Sequence, residues 1–278
     1  MKSPSVKATS MAEAFVSVDA EAGGIDAFHY NPAATAFLTR PEMSFMGQNG
    51  VAQSKMTSLS MGAPTSAGSF CGNVLYHTLG DMDLVDTQGQ VSSVNAESDF
   101  ITALNYSFKY GVWGFGASGK YLSSKLVDSL KASAYSYDAG VQARFFRKRL
   151  YVGFSAQNMG SGMKYLNATE PLPFTLRGGL SYRIDFNHMN YPTKILMAFD
   201  VISEKAEDLK KSAGIEYVWN NVLSLRAGGK IDQDYEKFNF GIGFKTGKIQ
   251  LDYAYSDAWN LGFINTFGLS YKFDAFDD

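Results

Sequence analysis

Apolar and polar residues alternate along most of this chain with a period of two. Phe100, Thr102, Leu104, Tyr106 and Phe108 stand against Ala103, Asn105, Ser107 and Lys109. Tyr135, Tyr137, Ala139, Val141, Ala143 and Phe145 stand against Ser136, Asp138, Gly140, Gln142 and Arg144. The pattern returns at Phe174, Leu176, Leu180 and Tyr182, at Phe238, Phe240, Ile242 and Phe244, and at Ile249, Leu251, Tyr253 and Tyr255. Such a period marks strands whose two faces meet different surroundings. About 14 segments of roughly ten residues follow one another from residue 43 onward, a number and length that suit a membrane barrel. Their spans are 43-49, 55-63, 67-77, 97-110, 112-124, 133-146, 149-159, 172-185, 193-203, 211-219, 222-232, 236-246, 248-257 and 262-273. No stretch of useful length has a helical period.

The connections also alternate. Short turns fall at Pro64-Thr65-Ser66, Tyr110-Gly111, Arg147-Lys148, Asn220-Asn221 and Thr246-Gly247, and longer links at 78-96, 125-132, 160-171 and 204-210. The link at 186-192 is longer than this rhythm prefers, and those at 232-236 and 257-261 are shorter. Periodicity alone leaves a soluble sandwich with an apolar core open. The glycine-rich polar face and the short-long rhythm favour an all-β transmembrane antiparallel β-barrel of about 14 strands, with rings facing lipid and both termini on the periplasmic side.

Composition narrows this reading. The formal net charge of -2 over 278 residues leaves no basic stripe, so nucleic acid is not an expected partner. No run approaches the roughly 18 apolar residues of a membrane helix, and a barrel needs none. Cys71 is the only cysteine, which rules out an internal disulfide. Met1-Lys2-Ser3-Pro4-Ser5 leads into polar sequence instead of an export leader, as expected of a mature chain, although a cytosolic origin would read the same. Residues 1-42 are small and polar and need the barrel to fold against, so the division is an N-terminal segment 1-42 and a barrel 43-278.

The last strand, Thr266-Phe267-Gly268-Leu269-Ser270-Tyr271-Lys272-Phe273, resembles the C-terminal signal by which outer-membrane barrels are recognised for assembly, with Gly268, Tyr271 and Phe273 at the key places. Gly23-Gly24 followed by Asn31-Pro32-Ala33 resembles the N-terminal signature of the FadL superfamily. Gln157-Asn158-Met159-Gly160-Ser161-Gly162, then Glu170-Pro171-Leu172-Pro173 and Arg177-Gly178-Gly179-Leu180-Ser181-Tyr182, is similar to a block of the PorV/PorQ family within it. Gly116-Ala117-Ser118-Gly119-Lys120-Tyr121 and Tyr137-Asp138-Ala139-Gly140-Val141 resemble its neighbouring strands. The resemblance implies 14 strands, a luminal N-terminal hatch, and either an accessory role in type IX-like protein secretion or surface assembly, or transport of a hydrophobic molecule through a lateral opening. It also implies partners: outer-membrane lipid, the assembly machinery, a larger membrane complex or secreted cargo, and, for a transporter, a hydrophobic ligand. The compact length leaves little room for elaborate loops.

Other chemistry finds little support. Gly114, Gly116 and Gly119 spell a GxGxxG, but Trp113, Phe115 and Ala117 alternate with them inside a strand, where a phosphate loop needs a following helix. Inward glycines leave room for the hatch instead. His29, His77 and His188 lack metal-ligand spacing. Asp81, Asp83 and Asp86 lack the glycine and glutamate of a calcium loop. No GxSxG elbow appears, so no enzyme and no cofactor are expected. Asn105 and Asn167 match the glycosylation pattern by composition only.

The inward face should carry Asp138, Arg144, Arg177, Arg183, Glu216, Arg226, Lys230 and Asp252, either as a mutually paired lining that holds the hatch or as a selectivity ring. Gly23, Gly24, Asn31, Pro32 and Ala33 are the hatch residues that the resemblance implies. Gly68 and Gly72 would permit a strand to lose pairing and kink, opening the wall beside them.

Overall fold

Fourteen strands close into an antiparallel barrel in the computed structural model, which describes residues 4–85, 89–127, 130–165, 168–205, 207–231, 238–258 and 262–275. Its strands are β1 (Glu42–Asn49), β2 (Lys55–Thr65), β3 (Gly68–Thr78), β6 (Glu97–Tyr110), β7 (Trp113–Leu126), β8 (Leu130–Phe145) and β9 (Leu150–Gly160). They continue with β12 (Thr175–His188), β13 (Tyr191–Glu204), β14 (Lys210–Trp219), β15 (Leu223–Ile231), β16 (Phe238–Thr246), β17 (Ile249–Asp257) and β18 (Phe263–Lys272). Sequence neighbours pair throughout, and β1 pairs with β18 from Glu42↔Lys272 to Asn49↔Asn265. Closure leaves no unpaired sheet edge, the condition for backbone to cross hydrocarbon.

Side chains sort by the alternation. Leu104, Tyr135 and Phe240 point outward and are 69%, 61% and 54% exposed, whereas Asn105, Ser136 and Asn239, beside them in sequence, are buried inside. The greasy face therefore wraps the cylinder and the polar face lines it, the reverse of a soluble sandwich. Burying an outward Leu or Phe in hydrocarbon contributes about 1.5–3 kcal/mol each.

Two expected links are themselves structured. The 78-96 link contains a hairpin of β4 (Asp81–Val85) and β5 (Val91–Asn95), and the 160-171 link one of β10 (Met163–Tyr165) and β11 (Ala168–Glu170). The link expected at 186-192 is a correction: β12 and β13 stay paired to His188↔Tyr191. Met189 and Asn190 then turn the chain alone, with φ of 51° and 66°, matching the twist of the flanking strands. Asn220 and Asn221 do the same between β14 and β15.

The strand break expected at Gly68 and Gly72 is also corrected. Gly68 begins β3 at the turn with φ of 136°, and Gly72 is paired on both sides, to Met61 and to Leu104. The register shift of the wall lies between β8 and β9, where Tyr137 faces Met159 but Ala139 faces Ala156. Asn158, at φ of 59°, is the extra residue of this bulge.

Residues 4–41 precede the barrel and pack against its inner face. They form α1 (Val6–Ser10), α2 (Ala20–Gly23) and two 3-10 turns, Ile25–His29 and Pro32–Phe37. Met11, Phe15, Val18, Ala27, Tyr30 and Ala34 cluster with Leu196 and Ala198 of β13, so the segment completes its small core with the wall.

Candidate functional site

The interior is the candidate site, and glycines on the inward face set its shape. A Cβ on Gly116 would stand 2.2 Å from the Pro32 carbonyl oxygen, and one on Gly140 would stand 2.0 Å from Asn31 Oδ1. On the far wall, a Cβ on Gly228 would stand 2.3 Å from the Met11 carbonyl carbon. The N-terminal segment thus lies directly on wall backbone where side chains would exclude it.

Asn31 anchors this contact. Its Oδ1 accepts from the Ala33 N–H at 3.0 Å, capping the Pro32–Phe37 turn, with Pro32 at the first position. Its Nδ2 donates to the Val16 carbonyl at 2.9 Å and to the Val141 carbonyl of β8 at 3.0 Å. Asn105 of β6 donates to the Pro32 carbonyl at 3.3 Å and to Thr35 Oγ1 at 2.8 Å. Asn105 is thereby committed to the interior, while Asn167 lies outside the described residues. Gly23 packs on Phe15, and Gly24, at φ of 80°, turns the chain where a side chain would meet Glu42.

The eight expected lining residues all face inward, in four groupings. Arg144 pairs with Asp19 and lies 3.5 Å from Glu21, with its guanidinium 3.8 Å above the Phe37 ring. Arg183 reaches Glu21 at 3.6 Å and Lys230 reaches Glu13 at 3.8 Å, so these three wall cations meet acids of the N-terminal segment. Arg226 lies between Glu216 and Asp252, 2.7 Å from each, across β14, β15 and β17. Gly243 of β16 leaves the passage, since a Cβ there would sit 2.4 Å from Asp252 Oδ1. Asp138 holds Lys120 at 2.6 Å and accepts from the Asn158 N–H at 2.8 Å, bracing the bulge. Arg177 donates to Gln157 at 3.1 Å, and Gln157 in turn donates to the His29 and Tyr30 carbonyls.

Sequence reasoning missed Asp200, whose Oδ2 accepts from Phe15 N–H at 2.7 Å and Val16 N–H at 2.8 Å. It also missed Asp19, Glu21 and Lys120. In the N-terminal segment burial pushes the Asp26 carboxyl up to about 6, opposed by a Ser44 hydrogen bond, and drives His29 down to about 3.

Space inside is scarce among the described residues. Cavities of about 50 Å³, beside His29, Lys120 and Arg177, and about 120 Å³, beside Lys7 and Lys245, flank the segment. A pocket of about 250 Å³ lined by Ile101, Leu122, Met163, Tyr165 and Leu172 sits at the loop end. Larger apolar grooves lie in the outer wall, about 720 Å³ beside Phe45, Phe244 and Phe267 and about 690 Å³ beside Met61, Phe70 and Leu104. No group of three His, Cys, Asp or Glu among the described residues could hold a metal ion. His77 lies 3.6 Å from Asp99 and His188 2.7 Å from Tyr217. Asp81 and Asp83 sit on the β4–β5 hairpin, and Asp86 is outside the described residues. Gly268 lies against Val6 inside, and the Tyr271 and Phe273 rings meet edge to face at 4.7 Å at the end of β18.

Neither a protein-family model nor a curated protein matches the sequence. The toluene transporter TodX from P. putida superimposes over 95% of this chain and 98% of its own, at 12% identity and a TM-score of 0.59. A TodX monoaromatic hydrocarbon channel deltaS2 mutant covers 89% and 93% at 13% identity and 0.53, and Acinetobacter baumannii Omp33 covers 84% and 98% at 10% identity and 0.50. The fold is that of a bacterial outer-membrane barrel. With its apolar girdle facing outward, the chain resides in that membrane.

Proposed function

We propose that this barrel is an accessory of protein secretion or surface assembly, of the PorV/PorQ type, with residues 1-42 acting as a hatch that keeps residues 43-278 closed. The filled interior carries this reading: small cavities of about 50 and 120 Å³ flank the hatch, while the roomy apolar grooves face outward. A barrel shaped this way offers its wall and rim to a larger membrane protein or to cargo. Gly268, Tyr271 and Phe273 serve delivery to the assembly machinery through the last strand. The test is a photo-crosslinker at Leu104, on the outer groove, used in the native cell. A discrete adduct with a large membrane or secreted protein is expected, and a wall that labels only lipid would overturn the reading.

A second reading, a FadL-like transporter of a hydrophobic small molecule, draws on the likeness to a toluene transporter over 95% of the chain and on the loop-end pocket, where Ile101, Leu122, Met163 and Leu172 stand beside Glu97, Asp99 and Glu170. Uptake of toluene by barrel-loaded vesicles, abolished by Leu172→Arg in the pocket, would favour it over the accessory role.

A further inference from the structure

The mouth at the short-turn end of the barrel, the periplasmic end in an outer-membrane protein, carries charge that the paired lining does not absorb. A cavity of about 120 Å³ there is lined by five cations, Lys7, Arg183, Lys194, Lys245 and Lys272, and two carboxylates, Glu21 and Glu216. Both carboxylates are committed. Glu216 is 2.7 Å from Arg226 deeper in the interior, and Glu21 is shared between Arg183 and Arg144. Lys272 leans on Glu42 at 3.4 Å, and Arg183 also holds Asp185 at 3.2 Å. Among the described residues, no carboxylate lies within pairing distance of Lys7, Lys194 or Lys245. Lys7 has a single neutral partner, the Ala22 carbonyl at 3.2 Å.

Three ammonium groups turned into one small cavity repel one another unless an anion joins them. Neutral hydrogen-bonding side chains complete the surround, with Ser224, Asn221 and Gln250 on the same cavity. We propose that this mouth binds a small phosphate-bearing anion between Lys7 of the N-terminal segment and Lys194 and Lys245 of the wall. A cavity of about 120 Å³ accommodates one phosphate group with its three or four oxygens shared among the lysines. Lys194 lies on β13 and Lys245 on β16, so the anion ties three separate pieces of chain together. Burial, the strongest influence on the Lys7 ammonium, holds it below its ordinary range together with Lys272 and Arg226, against Asp252 and Glu216. A bound anion relieves that penalty. The site depends on neither reading of the barrel's function.

The experiment uses the full chain in non-ionic detergent at an ionic strength on the order of 0.01 M, where screening reaches out to about 30 Å. Inorganic phosphate and, separately, short-chain phosphatidic acid are titrated by calorimetry into the wild type and into Lys194→Gln, Lys245→Gln and Lys7→Gln. One saturable site is expected for at least one of the two. Each substitution should weaken it by about tenfold or more, the loss that goes with a charge-assisted hydrogen bond. Whichever of the two saturates should also slow hydrogen exchange of residues 6–10 in the wild type and leave it unchanged in Lys245→Gln. Saturation by phosphate identifies a free ion as the source, and saturation by phosphatidic acid alone a lipid headgroup; either supports the site. Lys7→Gln lies outside the strands and keeps the test open if a wall variant does not assemble. Absence of saturable binding, affinity undiminished in the substituted proteins, or saturation only by a poly-glutamate peptide overturns the proposal.

Discussion

At the scale of single residues, alternation told which side chains face inward and could not tell which partners they meet. All eight expected lining residues face inward, because a strand's period is rigid. Their partners are up to about two hundred residues away, as Lys230 with Glu13 shows, and no local pattern records such distances. The groupings have consequences. Arg226→Met should destabilise the barrel by about 3–5 kcal/mol by leaving Glu216 and Asp252 buried without their cation, read as a lower midpoint in urea-driven unfolding in lipid. Replacing all three by apolar residues of similar volume should recover most of that loss. Asn31→Ala removes one cap and two tertiary hydrogen bonds, and about 1–3 kcal/mol of docking should go with them. Faster hydrogen exchange across 25–38, with the barrel still shifting on a gel when heated, is the expected result.

Asp26 and His29 of the N-terminal segment pull in opposite directions with pH. Asp26 holds its proton more tightly when docked, about 6 against an ordinary 3.8, so its contribution is complete below about pH 4 and fades as pH rises through 6. His29 stays neutral when docked, about 3 against 6.5, so its contribution is complete above 6.5 and fades as pH falls. Between pH 4 and 6 the wild type should show a shallow slope. In Asp26→Asn docking should strengthen with rising pH, and in His29→Gln it should weaken, both followed by exchange rates corrected for intrinsic chemistry.

At the scale of elements, period and turn residues gave fourteen strands close to their true bounds. The misreadings are physical. Met189-Asn190 falls within the 186-192 link because Asn187 and His188 before it are polar, although they continue a paired ladder beyond the apolar band. The β4–β5 and β10–β11 hairpins are two-stranded sheets with strands too short to show an alternating apolar stripe. A glycine permits a kink without demanding one, and at Gly72 the paired neighbours Met61 and Leu104 keep β3 straight while Asn158 supplies the bulge elsewhere. The lipid face makes its own prediction: Leu104→Arg, near the middle of β6, should cost about 2–4 kcal/mol in bilayers, and Asn105→Ala beside it should instead loosen the N-terminal segment.

At the scale of the whole molecule, the segment before β1 packs against the inner face of the cylinder that the fourteen strands enclose. Removing residues 4–38 should convert an electrically silent barrel into one with stable open conductance in planar bilayers, while heat-modifiability persists. That the chain needed a filling was legible in its small inward glycines and surplus of inward charge; the path of the filling was not.

The seam between Glu42–Asn49 and Phe263–Lys272 joins the first barrel strand to the last. Its two staves stand at opposite ends of the ladder's order, so the cask shuts through the pairing with the longest chain between its partners. A barrel that lost this one pairing would be an open trough with two bare edges.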